Sequence, residues 1–353
     1  MSKKNIIIIA SILFIGVATV AVVKCKHDSK NTSNPEIQTK EAARPGPDGV
    51  YKIYMVDKEN NHVLLTYQSD SLWLVDEKYP ANQYMIEEML LKTLENMCVK
   101  SKVNNAAVEN ITKQIAAKHV KVEIYYRDSK KKEQCKVIYV GPDTQDNMAT
   151  YMYLEGSEEP CIVHLPGFRG CLSPRFVVDP YLWRSHNIVN LPIRQISSVE
   201  LRIPSMPEES FSVVREGNGF VFNKLYPKTR VNGFDTARVA QLLSSFTNLN
   251  FDEYAKVVPK AELDTTFSRE PRTILRVTDL KGKTRELKTY IKYSNPDDIY
   301  AMPDTTMYNV FDLNRLYAIV DNKDTVLIQY YIFDNILQPA SFFLGREKNY
   351  FAR

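Results

Sequence analysis

The part of the chain that follows residue 47 carries the same short motif twice. Trp73 stands six residues before Tyr79-Pro80, and Phe220 stands six residues before Tyr226-Pro227. An apolar run with helical spacing follows each pair, so each motif predicts a strand that leads through an extended Tyr-Pro step into a helix. Large aromatic residues at corresponding places in two copies are predicted to be corresponding core positions rather than ligand platforms.

A second motif repeats further along each half. Tyr139-Val-Gly-Pro142-Asp143, predicted to be a turn, returns as Tyr293-Ser-Asn-Pro296-Asp297, at an offset of 154 residues instead of 147. Because the offset changes so little, one folding unit is predicted to occur twice in tandem, over residues 48–195 and 196–353. Each unit is long enough to bury most of its apolar surface without disulfides or metals.

Apolar residues change their period in the same order within each half. In the first half, Asn82 is predicted to cap a helix, and its apolar stripe consists of Ile86, Leu90, Leu94 and Met97. In the second half, Asp235 or Thr236 is predicted to cap a helix, and its inner residues are Val239, Leu242, Leu243, Phe246 and Leu249. Runs with period two, typical of half-buried strands, surround both helices. The predicted fold is α+β, with two tandem homologous repeats of mainly antiparallel sheet and packed helices.

Composition excludes several classes of protein. The 353 residues are 44% hydrophobic and 25% charged, with a formal net charge of +4, which is ordinary for a globular chain. No clustered basic surface of the kind that binds nucleic acid is evident. Five cysteines without a CxxC motif do not indicate a disulfide framework, although the sequence leaves open whether Cys161 and Cys171 pair.

The N-terminus carries a separate signal. Residues 6–23 contain no charge, and as a helix they would span about 27 Å, close to the ~30 Å hydrocarbon core of a bilayer. Lys24 precedes Cys25, where a lipoprotein would need a small residue, and no good cleavage site is present. We therefore expect a single-pass anchor in the inner membrane behind a cytoplasmic tail at 1–5. A flexible linker over 24–47 would then lead to a periplasmic C-terminal domain.

Several motifs occur in an order known from one bacterial family. They are the Trp73 to Pro80 unit, the Tyr139 to Asp143 motif, Thr150-Tyr151-Met152, and the stretch from His164 through Arg175-Phe176 to Trp183-Arg184-Ser185. Over about residues 48–345 the chain resembles the bacterial domain of unknown function 4340 family. That resemblance implies a membrane-anchored envelope protein and, for some members, a link to auxiliary components of gliding-motility-type ABC transporters. It carries over no catalytic residue.

The stretch from His164 to His186 joins the two halves and is rich in glycine, proline, arginine and aromatic residues. It has no evident counterpart in the second half, which makes it a candidate surface for a partner or ligand. The candidate residues are Phe168, Arg169, Arg175, Phe176, Trp183 and Arg184. The alternative is a structured connector whose aromatic side chains close the hydrophobic seam between the two domains.

Catalytic and metal-binding interpretations have little support. His164, Asp179 and His186 with Ser173 or Ser185 could form a hydrolase site, but no GxSxG, HExxH or glycine-rich phosphate loop accompanies them. Cys161 and His164 lie three apart in a predicted strand, so they should point to opposite faces instead of sharing a zinc ion with Cys171 and His186. No catalytic, cofactor-binding or metal-binding residue is therefore predicted.

These observations favour a non-enzymatic, membrane-anchored binding or scaffold module of the envelope. The inner membrane, through residues 6–23, and an unidentified envelope protein are the expected partners, and no nucleic acid is expected. A membrane complex of the ABC-transporter type is the kind of assembly to which it would be accessory. The alternative is a binder of cell-wall glycan or of another small envelope ligand, and a hydrolase of unfamiliar type ranks last.

Overall fold

The computed structural model describes residues 49–69, 72–128, 130–154, 157–293 and 311–345. They form two compact units, and the chain passes from the first to the second between Ser185 and His186. The predicted tail, anchor and linker all lie outside the described residues. Within the described ranges, no helix is long and apolar enough to cross a membrane.

The first unit contains one sheet of nine strands in the order β4-β3-β2-β1-β6-β7-β8-β9-β5. The strands are β1 (Val50–Asp57), β2 (His62–Tyr67), β3 (Trp73–Val75), β4 (Tyr79–Pro80), β5 (Cys98–Lys102), β6 (Val120–Arg127), β7 (Glu133–Asp143), β8 (Thr150–Leu154) and β9 (Cys161–His164). Every pairing between neighbours is antiparallel. Only β5 is out of sequence order at the far edge, because the chain crosses the sheet through helices before and after it.

The second unit contains a sheet of the same size with the order β14-β13-β12-β11-β17-β18-β19-β20-β16. Its strands are β11 (Ile196–Arg202), β12 (Phe211–Glu216), β13 (Gly219–Leu225), β14 (Lys228–Val231), β16 (Glu253–Tyr254), β17 (Thr273–Asp279), β18 (Thr284–Tyr293), β19 (Phe311–Val320) and β20 (Asp324–Gln329). A separate pair consists of β10 (Asn187–Val189) and β15 (Leu249–Asn250). When the nine strands are counted within each unit, the two orders are identical.

The two sheets also agree in register. The pairing of β1 with β6 shifts between Val50 and Lys52, and the pairing of β11 with β17 shifts between Ile196 and Ser198. A bulge disturbs the ladder locally and fixes which residue of one strand faces which residue of the next. The bulge therefore supplies a fixed point from which positions in one sheet can be matched to positions in the other.

This register places Trp73 and Phe220 at matched positions, as the repeated motif predicts. The residue after the bulge pairs with Thr66 in β2 and with Val214 in β12. The next residue along β2 then pairs with Trp73, and the next residue along β12 pairs with Phe220. Trp73 is fully buried in the first core, whereas Phe220 is half-buried and packs against the second core. Both therefore have packing roles.

The prediction of a turn at residues 139–143 was wrong, whereas residues 294–297 of the corresponding motif lie outside the described residues. Tyr139 lies in the regular part of β7, opposite Tyr153, and residues 139–143 continue the strand without forming a turn. Tyr293 lies beyond a register shift in β18, opposite Phe311, so the two tyrosines are not matched. Each of these long strands contacts a helix on one face of its sheet: β7 contacts the helix Asn105–Ala117, and β18 contacts the helix Lys260–Phe267. Periodicity in a short Gly-Pro segment does not reveal that continuation.

Helices occupy the same two crossings in both units. In the first unit a π-helix (Met85–Leu91) continues into α1 (Lys92–Asn96) before β5, and α2 (Asn105–Ala117) follows β5. In the second unit α4 (Thr236–Ser244) precedes β16, and α5 (Lys260–Phe267) follows it. After the last strand of the sheet, the first unit has α3 (Pro180–Trp183), and the second unit has α6 (Tyr330–Phe333) and α7 (Ala340–Phe343). Short 3-10 turns cover Ser173–Arg175, Ile193–Gln195, Pro207–Glu209 and Ser245–Thr247.

The helix caps are those that the sequence predicts. The Asn82 side chain accepts a hydrogen bond from the Met85 amide at 3.3 Å, and Asp235 accepts two from Ala237 and Arg238, both at 3.0 Å. These bonds satisfy amides that the first helical turn leaves unpaired. All predicted inward residues are buried: Ile86, Leu90, Leu94, Met97, Val239, Leu242, Leu243, Phe246 and Leu249.

In the first unit the sheet is covered on one whole face and on half of the other. The π-helix and α1 pack on the main core, which takes residues from β1, β2, β3, β6, β7, β8 and β9. On the opposite face, Ile111 and Ile115 of α2 contact residues of β7, β8 and β9 only, namely Tyr139, Tyr151, Tyr153 and Ile162. The outward side chains of β1, β2 and β6 belong to neither cluster.

A glycine permits the close approach of α2. A Cβ atom at Gly141 of β7 would lie 2.5 Å from Cγ1 of Ile115 and 2.9 Å from the backbone oxygen of Tyr151. We expect Gly141→Ala to lower the free energy of unfolding by about 1 to 3 kcal/mol, because an added methyl group overpacks this contact. Chemical denaturation of the full chain measures the change.

Gly219→Ala is the matched control, because its only neighbour within 4 Å is a backbone oxygen at 3.9 Å. Ile115→Ala removes Cγ1, the atom closest to the added methyl group, so it should cost less stability in the Gly141→Ala protein than in the wild type. Equal stability of the two glycine variants would show that α2 does not press against β7.

Candidate interaction surface

The segment after β9 in the first unit, residues 165–185, folds back over the main core and is called the first strap. Phe176 and Trp183 are almost completely buried in that core. The indole Nε1 of Trp183 donates a hydrogen bond to the Val177 carbonyl oxygen at 2.8 Å. These two of the six predicted surface residues are therefore not available to a partner in this structure.

The arginines of the first strap are also engaged within the unit. Arg184 is 6% exposed, and its guanidinium carbon lies 3.8 Å from the ring centroid of Tyr79 and 5.1 Å from that of Tyr181. Arg175 donates to the Thr93 hydroxyl at 3.0 Å and lies over the Phe168 ring at 4.6 Å. The Arg184–Tyr79 cation–π contact and the Arg175–Thr93 hydrogen bond hold the strap to the rest of the unit, whereas the Arg175–Phe168 contact lies within the strap.

Phe168 and Arg169 are the predicted residues that remain exposed. Phe168 is 38% exposed and touches Arg175, whereas Trp183 and Arg184 lie at the other end of the strap beside β4. The structure thus does not gather the six residues into one surface. Most of the strap has a structural role, and its buried aromatic side chains close the core of the first unit instead of a seam between the two domains.

The second unit has a strap of its own, residues 330–345, so the connector is not peculiar to the first half. Phe343 is fully buried in the second core, as Trp183 is in the first. The Asn82 amide donates to the Trp183 carbonyl at 2.7 Å, and the Asp235 amide donates to the Phe343 carbonyl at 2.8 Å. In both units, then, the residue that caps the first helix binds the backbone of the buried strap aromatic.

Cysteine and histidine side chains do not assemble as a zinc site would require. Cys161 is buried in the main core, and burial raises the pKa of its thiol to about 11. His164 points to the other face, where Nε2 lies 3.3 Å from Sγ of Cys98. Within the described ranges, no group of three or more His, Cys, Asp or Glu residues is placed to hold a metal ion, and no disulfide joins the four described cysteines.

The residues considered for a hydrolase are likewise separated. The Ser173 hydroxyl donates to Asp143 at 2.6 Å, and Asp143 also accepts from the Thr150 hydroxyl at 2.6 Å. The Asp179 carboxylate caps α3 through the Tyr181 amide. Ser173 thus ties the strap to β7, and Asp179 caps the short helix within the strap.

A surface that sequence reasoning missed lies on the half of the first sheet that no helix of the described residues covers. It is called the open face and is formed by the outward residues of β1, β2, β6 and the first part of β7. Those residues are Lys52, Tyr54, Val56, Leu64, Thr66, Lys121, Glu123, Tyr125, Cys135 and Val137. They alternate with buried residues along each strand, so their side chains point away from the main core.

The open face has an apolar centre with charged groups beside it. Burial raises the pKa of the Tyr54 hydroxyl, and Tyr54 lies 5.9 Å from the ring of His62. The Lys52 ammonium lies 3.7 Å from the Tyr125 ring centroid. Glu123 accepts from the Tyr125 hydroxyl at 2.6 Å and pairs with Lys121 at 2.7 Å. The charged groups are thus fixed by their neighbours around partly exposed tyrosine, leucine and valine.

One line of four residues crosses the middle of the open face and is called the central row. Cross-strand pairing joins Leu64 to Tyr54, Tyr54 to Glu123 and Glu123 to Val137. Three of the four side chains are apolar or aromatic. Val137 is only 8% exposed, so its neighbours already cover part of this line.

The matched row of the second sheet has a different chemistry. It consists of Ser212, Glu200, Arg276 and Glu286. Arg276 lies 3.3 Å from Glu200 and 2.7 Å from Glu286, and the row extends to Arg202 and Lys288. One fold therefore presents an apolar line in one unit and an ion-pair network at the same positions in the other.

The strap supplies the first prediction for this part of the molecule. We expect Trp183→Ala to lower the free energy of unfolding by about 3 to 5 kcal/mol, because it leaves a large cavity in the main core. Leu182→Ala, at the neighbouring 47% exposed side chain, is the control and should change stability by less than about 0.5 kcal/mol. A Trp183→Ala protein as stable as the control, by chemical denaturation, would contradict the role of the strap in the core.

The ion-pair network supplies a pH-dependent prediction. Burial opposes ionisation of Glu286, but hydrogen bonding and charge from Arg276 and Lys288 lower its pKa on balance. A lowered folded-state pKa stabilises the protein above the unfolded pKa and loses that effect as the pH falls. At pH 7, Glu286→Gln should therefore lower the free energy of unfolding by about 1 to 2 kcal/mol. The difference from the wild type should shrink as the solution is acidified below about pH 4.

Glu216→Gln provides the control for that measurement. Glu216 pairs with Arg230 at 2.8 Å, but its side chain is 59% exposed, so solvent screens the pair. Urea unfolding at several pH values would measure both variants. A Glu286→Gln effect that is independent of pH would contradict the assigned charge interaction.

The family comparison covers residues of both units. No curated protein and no solved structure matches the sequence. The family model named Domain of unknown function (DUF4340) matches residues 73–271, from the first residue of β3 to just before β17. This match covers more than half of the 353 residues and includes parts of both units. The chain therefore belongs to the family described as Domain of unknown function (DUF4340).

Proposed function

We propose that the protein is a non-enzymatic, membrane-anchored binding or scaffold module of the bacterial envelope, and that its open face contacts a protein partner. The supporting observation is the difference between the central row and its match in the second sheet. Positions that carry Tyr54, Leu64 and Val137 in one unit carry two glutamates and a serine in the other. The fold does not require an apolar row at these positions, so contact with another molecule is the better explanation for it.

The physical argument concerns desolvation. Covering the ion-pair network of the second sheet would remove charged groups from water, and the cost of that removal exceeds the Coulombic gain in many buried pairs. Covering the central row instead buries aromatic and aliphatic surface, which is favourable by about 25 cal/mol per Å². Aromatic centres with a charged surround are typical of protein interfaces. The open face is therefore the better of the two for association.

The two units serve as controls for each other if they are tandem homologous repeats. Their identical strand order, their bulges after Val50 and Ile196, and their paired strap contacts all support a duplication of one unit. Under this proposal, features common to both units maintain the fold. Features confined to one unit, such as the central row, are where function has diverged.

The anchor is proposed to be the uncharged stretch at residues 6–23, which would hold both units on the periplasmic side of the inner membrane. Linkage to a membrane complex of the ABC-transporter type rests on the family resemblance alone. Protease added to spheroplasts should digest the C-terminal units while a cytoplasmic control protein stays intact. Protection of those units would contradict the proposed orientation.

The open face can be tested by transplanting the matched row of the second sheet into the first. The quadruple variant Leu64→Ser, Tyr54→Glu, Glu123→Arg and Val137→Glu installs side chains that the same fold already accommodates at the matched positions. We expect it to fold and to lose its partner, because the apolar centre becomes an ion-pair network. A photo-crosslinking residue at His62, beside Tyr54, reports the contact in living cells.

A crosslinking residue at Thr284, the second-unit match of Cys135, is the control. The proposal expects one defined protein adduct from position 62, none from position 284, and loss of the adduct in the quadruple variant. Failure to recover a consistent protein from position 62 would count against it. If cell-wall fragments instead raise the melting temperature of the wild type but not of the quadruple variant, the glycan-binding alternative is favoured.

A further inference from the structure

The pair formed by Cys98 and His164 has no part in the fold core or in the open face. Cys98 begins β5, the last strand of the first sheet, and stands directly opposite His164 in β9. Their side chains meet on the face away from the main core, with Sγ 3.3 Å from Nε2, and both residues are partly exposed. We propose that Cys98 is a modification site that undergoes thiol–disulfide exchange with small disulfides, with His164 as its general base.

The other described thiols differ from Cys98 in their surroundings. Cys161 is buried, and its pKa is raised to about 11. Burial, a hydrogen bond and the charge of Asp143 raise the pKa of Cys171. Because the thiolate is the reacting form, both thiols are poor nucleophiles at neutral pH. Cys135 lies on the open face opposite Tyr125, so its strand partner is a phenol where Cys98 has an imidazole.

The edge position gives a second reason to single out Cys98. The register of β5 against β9 shifts between Val99 and Ser101, which leaves Lys100 as an extra residue in a bulge. Bulges at sheet edges redirect side chains and are frequent beside functional residues. Lys100 and Lys102 are both exposed, so positive charge lies within four residues of the thiol along the edge. An anionic disulfide would be attracted to this edge.

The exchange step is balanced without any oxidant other than the disulfide. With the imidazole proton on Nδ1, Nε2 of His164 accepts the proton of the Cys98 thiol. The thiolate Sγ then attacks one sulfur of the disulfide, so that a new S–S bond to Cys98 forms as the original S–S bond breaks. The leaving thiolate takes up the proton held by His164, and the products are a mixed disulfide at Cys98 and one free small thiol.

Oxidised glutathione is a suitable probe, and peptide mass spectrometry of the full chain reports each cysteine separately. The wild type should form its mixed disulfide at Cys98 faster than at Cys135, Cys161 or Cys171. His164→Gln keeps a polar group but removes the base, and at pH 7 it should slow the reaction of Cys98 by roughly tenfold. Cys135 in the same sample is the internal control and should react at its wild-type rate.

Two further measurements make the test decisive. In His164→Gln the rate at Cys98 should rise steeply with pH, as for an unassisted thiol, so that the gap from the wild type closes in alkaline solution. Thermal unfolding shows whether the variant is folded, and His164→Asn replaces it if it is not. Equal rates at Cys98 with and without the imidazole, or preferential reaction at Cys135, would overturn the proposal.

Discussion

A sheet of nine strands has two large faces, and the helices that the structure describes in each unit cover one of them and half of the other. Everything else follows from how the rest is closed. In the first unit, the π-helix and α1 bury the main face, and α2 buries the far half of the opposite face. What remains uncovered must be stable in water by its own composition or be covered by another molecule. The two units differ here: the first carries the apolar central row, and the second carries an ion-pair network at the matched positions.

The straps complete the main cores, and they do so by the same contact. A helix-capping residue must leave helical geometry, and its own amide then needs a partner outside the helix. Asn82 and Asp235 both find that partner in the carbonyl of a buried strap aromatic, Trp183 or Phe343. One hydrogen bond thus ties the start of the helix to the end of the unit and sets where each aromatic ring enters the core. The density of arginine and aromatic residues in the first strap reflects this closure, because Arg175 binds Thr93 and Arg184 lies over the Tyr79 ring.

The two sheets have matched registers, so each position of one can be compared with the corresponding position of the other. The repeated aromatic positions Trp73 and Phe220 are packing positions, and the strap that the sequence marks as distinctive has a counterpart in the second unit. The open face, by contrast, carries no sequence motif. Its significance appears only when Tyr54 is set against Glu200 and Val137 against Glu286. The repeated aromatic motif thus marks positions that pack against the core in both units, and it does not mark positions where the two units differ.

By itself the sequence predicted the α+β class, two similar units in tandem, the helix caps at Asn82 and Asp235, and the buried positions of both apolar stripes. Those features depend on local periodicity and on capping chemistry, which are encoded within a few turns of chain. It missed β5 and β16, which are short and pair with strands far away in the chain, and it also missed the six-residue strand β20. Tertiary structure alone decided that residues 139–143 continue a strand, that Phe176 and Trp183 are core residues, and that Cys98 faces His164. Each of these depends on strand register and on contacts between residues far apart in the chain, and a local pattern contains neither.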